Sequence, residues 1–158
     1  MKVVFDTAGF LAGLQNLFDK VYTTPLVIEE VKDFRSQTLL KMSIEAGKVI
    51  EVNPSTESIN YVRKILDQIG EKSLSNTDIS IIALAYELKP SIVFTDDLAV
   101  QNVLLHLGIG FNSVKLGIKM KIRKTIIYKC SACGRTFTKK YNKCPYCGNE
   151  ITEIKLKS

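Results

Sequence analysis

The sequence lacks the long apolar runs and the leader-like start that mark membrane and secreted proteins. No stretch of its 158 residues approaches the roughly 20 apolar residues that a membrane helix requires. The N-terminus also lacks the basic, apolar and small-residue order of a secretion signal. No cysteine precedes Cys130, and nothing else indicates an oxidising compartment. These absences predict a cytoplasmic protein without membrane association.

Acidic residues are scarce in the C-terminal part of the chain. Residues 115–158 contain 12 Lys+Arg and 2 Asp+Glu, a balance of +10, whereas residues 1–114 contain 10 and 14, a balance of −4. An acidic body with a strongly basic tail predicts a polyanionic partner. Nucleic acid is favoured over the alternatives, a membrane-surface patch or a charge that only aids solubility.

Short apolar runs alternate with amphipathic segments along residues 1–114. Val3 to Phe5 and Ser91 to Thr95 are β-branched and aromatic runs that predict buried strands. Strands that alternate with helices indicate an α/β fold, a parallel sheet flanked by helices. We therefore predict one α/β domain over 1–114, a basic connector over 115–127 that includes a half-buried strand at 118–123, and a small cysteine module over 128–158.

The helix predicted after Thr24 carries one of the candidate site residues. Pro25 suits the first helical position, and Val27, Val31 and Phe34 have the spacing of a buried helix face. Further helices are predicted over 36–46, 55–69, 74–88 and 98–107. Glu30 lies about 60° around the helix from Val27, so it can border the core, whereas Glu29 points to solvent. An ordinary boundary glutamate is the alternative interpretation of Glu30.

Acidic side chains follow both predicted strands. Asp6 comes directly after the first, and Asp96 and Asp97 follow Thr95. Ligands of parallel sheets bind beyond the carboxyl ends of the strands, and like charges gathered there are costly without a cation. No Lys or Arg adjoins Asp6 in sequence to neutralise it. The pattern therefore predicts a metal-ion phosphodiesterase site.

Two of these acids also have purely structural interpretations. Ser75-x-x-Asp78 is a capping box, in which the Asp78 carboxylate satisfies a free N–H at the helix start. Asp97 can likewise cap the next helix. If all five acids, Asp6, Glu30, Asp78, Asp96 and Asp97, gather at one place, their oxygens suit Mg²⁺ or Mn²⁺ and in-line attack of water on phosphorus. Such chemistry needs no histidine, and the single one, His106, is expected at the surface.

The order of these motifs resembles that of PIN-domain ribonucleases. The matching segments are Asp6 after the first strand, Thr24-Pro25-x-x-Ile28-x-Glu30-Val31, Leu74-Ser75-x-Thr77-Asp78 and Phe94-Thr95-Asp96-Asp97. With the terminal cysteines, the chain is similar to the archaeal and eukaryotic endonucleases that mature the 3′ end of small-subunit ribosomal RNA. The resemblance covers nearly the whole chain.

The resemblance implies an activity and a set of roles. It implies catalytic or metal-binding roles for Asp6, Glu30, Asp78 and the Asp96/Asp97 pair, with Asp97 preferred as the ligand, and dependence on Mn²⁺ or Mg²⁺. It implies precursor small-subunit ribosomal RNA in a pre-ribosomal particle as the partner. Two alternatives remain: a non-catalytic RNA-binding assembly factor, and a generic nuclease that acts as a toxin or on DNA.

Four cysteines form two C-x-x-C pairs, each followed by glycine: Cys130, Cys133, Cys144 and Cys147. This spacing predicts a zinc ribbon, and four thiolates leave no open position, so the ion should be structural. About 30 residues bury too little apolar area to fold alone, and zinc contributes roughly 10–16 kcal/mol in comparable modules. Disulfide formation and redox C-x-x-C chemistry are the weaker alternatives.

Basic side chains are interleaved with aromatic ones around these cysteines. Cations that pair with phosphates and rings that stack on bases are typical of RNA recognition. We predict RNA contacts for Lys121, Arg123, Lys129, Arg135, Lys139, Lys140 and Lys143. Part of the ring set, which comprises Tyr128, Phe137, Tyr141 and Tyr146, is expected to form the small core of the module instead.

Overall fold

A computed structural model of the chain describes residues 1–116, 126–137 and 140–155. The chain divides into two units, Met1–Gly117 and Ile118–Ser158. No helix among the described residues has the length and apolar character needed to cross a membrane. The predicted strand at 118–123 lies outside the described residues.

Five short strands form the parallel sheet of the first unit. They are β1 (Lys2–Phe5), β2 (Val21–Thr23), β3 (Val49–Glu51), β4 (Ser91–Phe94) and β5 (Gly110–Asn112). Their order in the sheet is β3-β2-β1-β4-β5, and each neighbouring pair is parallel. The first strand is therefore central and pairs with both β2 and β4. The predicted α/β fold, a parallel sheet flanked by helices, is confirmed.

Six helices connect these strands. They are α1 (Thr7–Leu11), α2 (Pro25–Glu30), α3 (Phe34–Glu45), α4 (Thr56–Ile69), α5 (Asn76–Glu87) and α6 (Leu98–His106), and a short 3-10 helix covers Leu14–Leu17. The ends of α4 follow from local chemistry. The Ser55 side chain accepts the Ser58 N–H at the start, and Gly70 takes the left-handed conformation, φ 73°, at the end.

The helix predicted from Pro25 to Phe34 is shorter than expected. It ends at Glu30, and the Asp33 side chain accepts the Ser36 N–H and begins α3. Val27 and Val31 are buried as predicted, but Phe34 is 84% exposed, so its predicted place in the core is wrong. The physical reason is the second cap, because Phe34 becomes the first residue of a new helix with a different buried face.

An aromatic cluster fills the core beneath the ends of the two central strands. Phe5 and Phe94, the last residues of β1 and β4, are almost fully buried, and their ring centroids are 5.6 Å apart. Phe5 also packs edge-on against Phe10 at 5.3 Å, and Phe18 lies 5.3 Å from Phe94. These contacts fix the two strand ends from which the predicted acids emerge.

The second unit contains a three-stranded antiparallel sheet. Its strands are β6 (Ile126–Cys130), β7 (Thr136–Phe137) and β8 (Ile151–Lys155), in the order β7-β6-β8. Strand β6 begins inside the stretch 115–127 that the sequence predicts as a connector. Cys130 is the last residue of this strand, so the sheet leads directly into the cysteine cluster.

We expect Gly9→Ala to lower the free energy of unfolding by about 1 kcal/mol. A Cβ atom at Gly9 would lie 2.8 Å from the ring of Phe5, which is packed on several sides. Overpacking of this kind costs about 1–3 kcal/mol, and the roughly 1 kcal/mol that alanine gains over glycine in a helix offsets part of this cost. Urea denaturation would measure the change.

Gly110→Ala is the matched control, because its Cβ would meet nothing closer than the Ser91 carbonyl oxygen at 3.6 Å. A Gly9→Ala protein as stable as the wild type would contradict the tight packing of Phe5.

Candidate functional site

The pairing of β1 with β4 places Asp6 beside Thr95. Phe5 and Phe94 are register partners, so the next residue of each strand leaves the sheet at the same edge. The side chain of Thr95, which is fully buried, lies near enough to the Asp6 carboxylate to lower its pKa. Asp6 Oδ1 also accepts two backbone N–H groups at the start of α1, at 3.0 and 3.4 Å. Asp6 is therefore both a helix cap and the first member of a polar group at this edge.

Burial dominates the electrostatics of Asp6. It raises the pKa of this carboxyl above its ordinary value, against the lowering effect of the Thr95 hydroxyl and of the α1 N–H groups. The negative charge of Asp78 also raises the pKa of Asp6, as the smallest of these effects. A bound cation would offset both effects, so Asp6 and Asp78 fit a metal ion.

Asp78 lies in the first turn of α5. Its N–H donates to Ser75 Oγ at 3.1 Å, and its Oδ2 accepts the Ser75 N–H at 3.1 Å. The predicted capping box is confirmed. This bond uses one carboxylate oxygen, and the charge of Asp78 still acts on Asp6. The structural and the electrostatic roles of Asp78 therefore coexist.

Thr95 also connects the site to Asp97. The Asp97 N–H donates to Thr95 Oγ1 at 3.2 Å, and Asp97 Oδ1 accepts two N–H groups at the start of α6, at 2.9 and 3.4 Å. Asp97 thus caps α6 while it stays linked to Asp6 through one hydroxyl. Asp96 turns elsewhere, because its Oδ1 accepts the Val114 N–H at 2.8 Å.

Glu30 is held by two threonines that sequence reasoning missed. Thr7 Oγ1 donates to Glu30 Oε2 at 3.0 Å, and Thr77 Oγ1 donates to Glu30 Oε1 at 2.6 Å. Thr7 directly follows Asp6, and Thr77 directly precedes Asp78. Their position beside a predicted acid is a signal that could have found both, and Thr77 also stands in the segment that matches the family motif. Through them Glu30 joins the same group of acids.

The structure therefore relates Asp6, Asp78 and Glu30 to one another, whereas Asp97 reaches Thr95 through its backbone N–H and the Asp96 carboxylate is turned toward Val114. Within the described ranges, no three of these carboxylates come close enough together to hold one ion directly. Such spacing suits a hard divalent cation that keeps several of its water ligands. The oxygen-only donor set and the buried Asp6 fit that kind of ion.

The cysteines of the second unit are close enough to share one ion. Cys130 Sγ lies 3.3 Å from Cys147 Sγ, Cys133 Sγ lies 3.8 Å from Cys144 Sγ, and all four sulfurs are within 4.8 Å of one another. All four are free thiols. Sulfurs about 2.3 Å from a central zinc lie about 3.8 Å apart in a tetrahedron. The cluster therefore fits a zinc-type centre, and the disulfide alternative is wrong for this structure.

Two equivalent turns build this cluster. The Gly134 N–H donates to the Cys130 carbonyl at 3.1 Å, and the Gly148 N–H donates to the Cys144 carbonyl at 2.9 Å. Both glycines have positive φ, 74° and 75°, which side chains disfavour. Each C-x-x-C-Gly segment thus turns its two sulfurs inward.

The thiols have opposed protonation tendencies. The backbone N–H and the side-chain amide of Asn149 lower the pKa of Cys147 to about 6. Although the Arg135 N–H acts to lower it, desolvation and the three neighbouring thiol groups raise the pKa of Cys133 to about 11. Four thiolates at these distances need a cation, which supports a metal in the cluster.

The aromatic residues of the second unit largely pack on one another. Phe137 lies edge-on to Tyr141 at 5.2 Å and stacks with Tyr146 at 6.1 Å. The Arg135 guanidinium covers the Tyr146 ring at 4.0 Å, although this ring is 67% exposed. These rings form a small cluster, as predicted for part of the set.

Four of the seven basic residues predicted to contact RNA are placed by the structure. Lys129, Arg135, Lys140 and Lys143 are exposed, so their charges are available to a polyanion. Lys121, Arg123 and Lys139 lie outside the described residues. RNA contact stays a prediction for all seven residues.

Comparison with known proteins agrees with the fold. Residues 3–88 match the family model described as the PIN domain of ribonuclease. The chain is 42% identical over 157 residues to the endoribonuclease Nob1 of Pyrococcus abyssi, across 98% of this chain and 94% of that protein. It is 37% identical over 91 residues to the 20S-pre-rRNA D-site endonuclease nob1 of Schizosaccharomyces pombe, across 55% of this chain and 23% of that protein.

A solved structure supports the fold. A chain of VapBC2 from Rickettsia felis aligns with a TM-score of 0.51 and 13% identity, across 72% of this chain and 98% of that chain. The parallel sheet with acids at its carboxyl edge is the architecture of a PIN-type nuclease. The chain belongs to the PIN-domain ribonuclease family. Within that family its match to endoribonuclease Nob1 extends over nearly the whole chain.

We expect Asp78→Asn to lower the pKa of Asp6 in the metal-free protein. The charge of Asp78 raises that pKa, so a neutral amide at the same place removes the repulsion while it can still accept the Ser75 N–H. A carboxyl-carbon NMR titration of Asp6 would record the shift toward lower pH. Asp67→Asn, an exposed acid on α4, is the control and should leave the titration of Asp6 unchanged. An unshifted Asp6 in the Asp78 variant would contradict the proximity of the two acids.

Proposed function

We propose that this protein is a divalent-metal-dependent endoribonuclease that cleaves precursor small-subunit ribosomal RNA at its 3′ end during ribosome biogenesis. The activity class follows from its membership of the PIN-domain ribonucleases. The substrate is supported by similarity to a protein named for the D-site of 20S pre-rRNA. The observation that carries the proposal is the linked group of acids at the carboxyl edge of the sheet.

In this proposal the acids divide the work of the site. Asp6, Asp78 and Asp97 would bind Mg²⁺ or Mn²⁺ partly through water ligands that the ion keeps, Asp96 is the neighbouring alternative to Asp97, and Glu30 completes the catalytic group. A divalent ion there would neutralise charge on the phosphate and lower the pKa of a water. The capping bonds of Asp6, Asp78 and Asp97 orient these carboxylates before any ion binds.

The second unit supplies RNA contacts rather than chemistry. We assign Zn²⁺ to the four-thiolate centre, where no position is open for a reacting group. The proposed RNA-contacting set is Lys121, Arg123, Lys129, Arg135, Lys139, Lys140 and Lys143. Phosphate contacts of this kind make affinity strongly dependent on salt. The proposed partner is the pre-ribosomal particle, and the proposed location is the cytoplasm.

Cleavage of precursor small-subunit RNA in the presence of Mn²⁺ is the direct test, with product ends mapped by primer extension. We expect the wild type to cut near the mature 3′ end. Asp6→Asn should slow cleavage about 100-fold or more, because a ligand that holds the ion is lost, and should change RNA affinity by less than about twofold. Asp67→Asn should cleave like the wild type.

Full activity of Asp6→Asn would refute the metal assignment. A wild-type protein that binds the RNA but does not cut it would favour the non-catalytic assembly factor instead. Equal cleavage of RNA and DNA versions of the substrate would favour the generic nuclease.

Loss of one cysteine tests the zinc assignment. We expect the wild type to carry one zinc ion per chain and Cys130→Ser to lose it, because Cys130 is buried and ends the central strand β6. Zinc contributes roughly 10–16 kcal/mol to comparable modules, so the second unit should unfold and RNA affinity should fall. Native mass spectrometry would count the ion, and Ser131→Ala, at an exposed neighbouring residue, is the control. Retention of the ion by Cys130→Ser would count against a four-cysteine site.

A further inference from the structure

Glu30 cannot be oriented by its own helix alone. It is the last residue of the six-residue helix α2, its side chain is exposed, and the next residue, Val31, is already extended. A carboxylate at the C-terminal end of a helix also lacks favourable interaction with the helix dipole. The direction of this carboxylate must therefore be set by groups outside α2.

Two hydroxyl groups set the direction of the Glu30 carboxylate, because each of its oxygens accepts a hydrogen bond from one of them. Thr77 donates to Oε1 at 2.6 Å, a distance typical of a bond to a charged acceptor, and Thr7 donates to Oε2 at 3.0 Å. The two donors come from different elements, α5 and α1. Because each oxygen has its own donor, both the position and the plane of the carboxylate are fixed.

The placement of α2 itself does not depend on these bonds. Thr24, which precedes α2, shares a buried hydrogen bond of 2.9 Å with Ser80 of α5, and Val27 is fully buried. The helix is thus anchored at its start and along its inner face. Loss of the Thr7 or Thr77 hydroxyl should free the Glu30 side chain without moving the helix.

Each hydroxyl is also placed by a turn that carries an acid. Thr7 follows Asp6, whose carboxylate caps α1, and Thr77 precedes Asp78, which closes the capping box of α5. We infer that Thr7 and Thr77 are positioning residues that fix the location and orientation of the Glu30 carboxylate relative to Asp6 and Asp78. This inference rests on the proposed function and adds to it two residues that act through Glu30.

The test removes each hydroxyl without changing the shape of the side chain. The valine variants, Thr7→Val and Thr77→Val, are compared with Thr7→Ser and Thr77→Ser, which keep the hydroxyl. Each valine variant is also made in a Glu30→Gln background. Thr38→Val is the matched control, because Thr38 donates an exposed bond to the Phe34 carbonyl on α3. Three quantities are measured: kcat and KM on precursor RNA, the binding of Mn²⁺ without RNA by electron paramagnetic resonance, and the unfolding midpoint.

We expect each valine variant to lower kcat about tenfold with KM within about twofold. Mn²⁺ binding should weaken by a similar factor, because the negative charge of Glu30 adds to the attraction of the site for the ion and must be held near it. The serine variants should restore both values. In the Glu30→Gln background the valine substitutions should have no further effect. The unfolding midpoint and the Thr38→Val protein should stay close to the wild type.

Valine variants with wild-type kcat and wild-type Mn²⁺ binding would overturn the inference. It would also be overturned if the valine substitutions act with full strength in the Glu30→Gln background, because the hydroxyls would then not work through Glu30. If the wild type cuts no RNA, the proposed function fails, and the coupling of Thr77 to Glu30 in the Mn²⁺ binding curves still decides the inference by itself.

Discussion

The structure depends first on the parallel pairing of the two central strands. Because Phe5 pairs with Phe94, β1 and β4 end side by side at the same edge of the sheet. Asp6 and Thr95, which follow these strands, are therefore neighbours although 88 residues lie between them in the sequence. The aromatic cluster below resists any slip of this register, because a shift by one residue would turn buried rings to the other face of the sheet. The site exists because these two strand ends are adjacent.

Neutral hydroxyl groups allow several acids to lie near one another. Thr95 lies between Asp6 and Asp97, and Thr7 and Thr77 hold Glu30 beside them. The Thr7 and Thr77 hydroxyls stabilise the negative charge of Glu30 by donating hydrogen bonds, and a hydroxyl adds no positive charge that would compete with a cation. Helix caps add further donors, so the carboxylates of this edge are oriented by the same bonds that start α1, α5 and α6.

The two candidate metal sites of the chain differ in donor atoms and in spacing. In the second unit, four sulfurs surround one point and leave no open position, so an ion there can only stabilise the fold. At the sheet edge the carboxylates lie farther apart, which would leave room for water and a phosphate around an ion. The thiolate centre follows from two short local turns, whereas the carboxylate site requires the complete sheet.

The sequence by itself determined whatever depends on near neighbours. The alternation of strands and helices, the box formed by Ser75 and Asp78, and the two C-x-x-C turns are encoded within a few residues, so pattern and spacing predict them. Only the tertiary structure decided that Phe34 faces solvent and that Glu30 bonds to Thr77, 47 residues away. Periodicity tells which side of a helix is apolar, but helix ends and hydrogen-bond partners are settled by packing between elements distant in the chain.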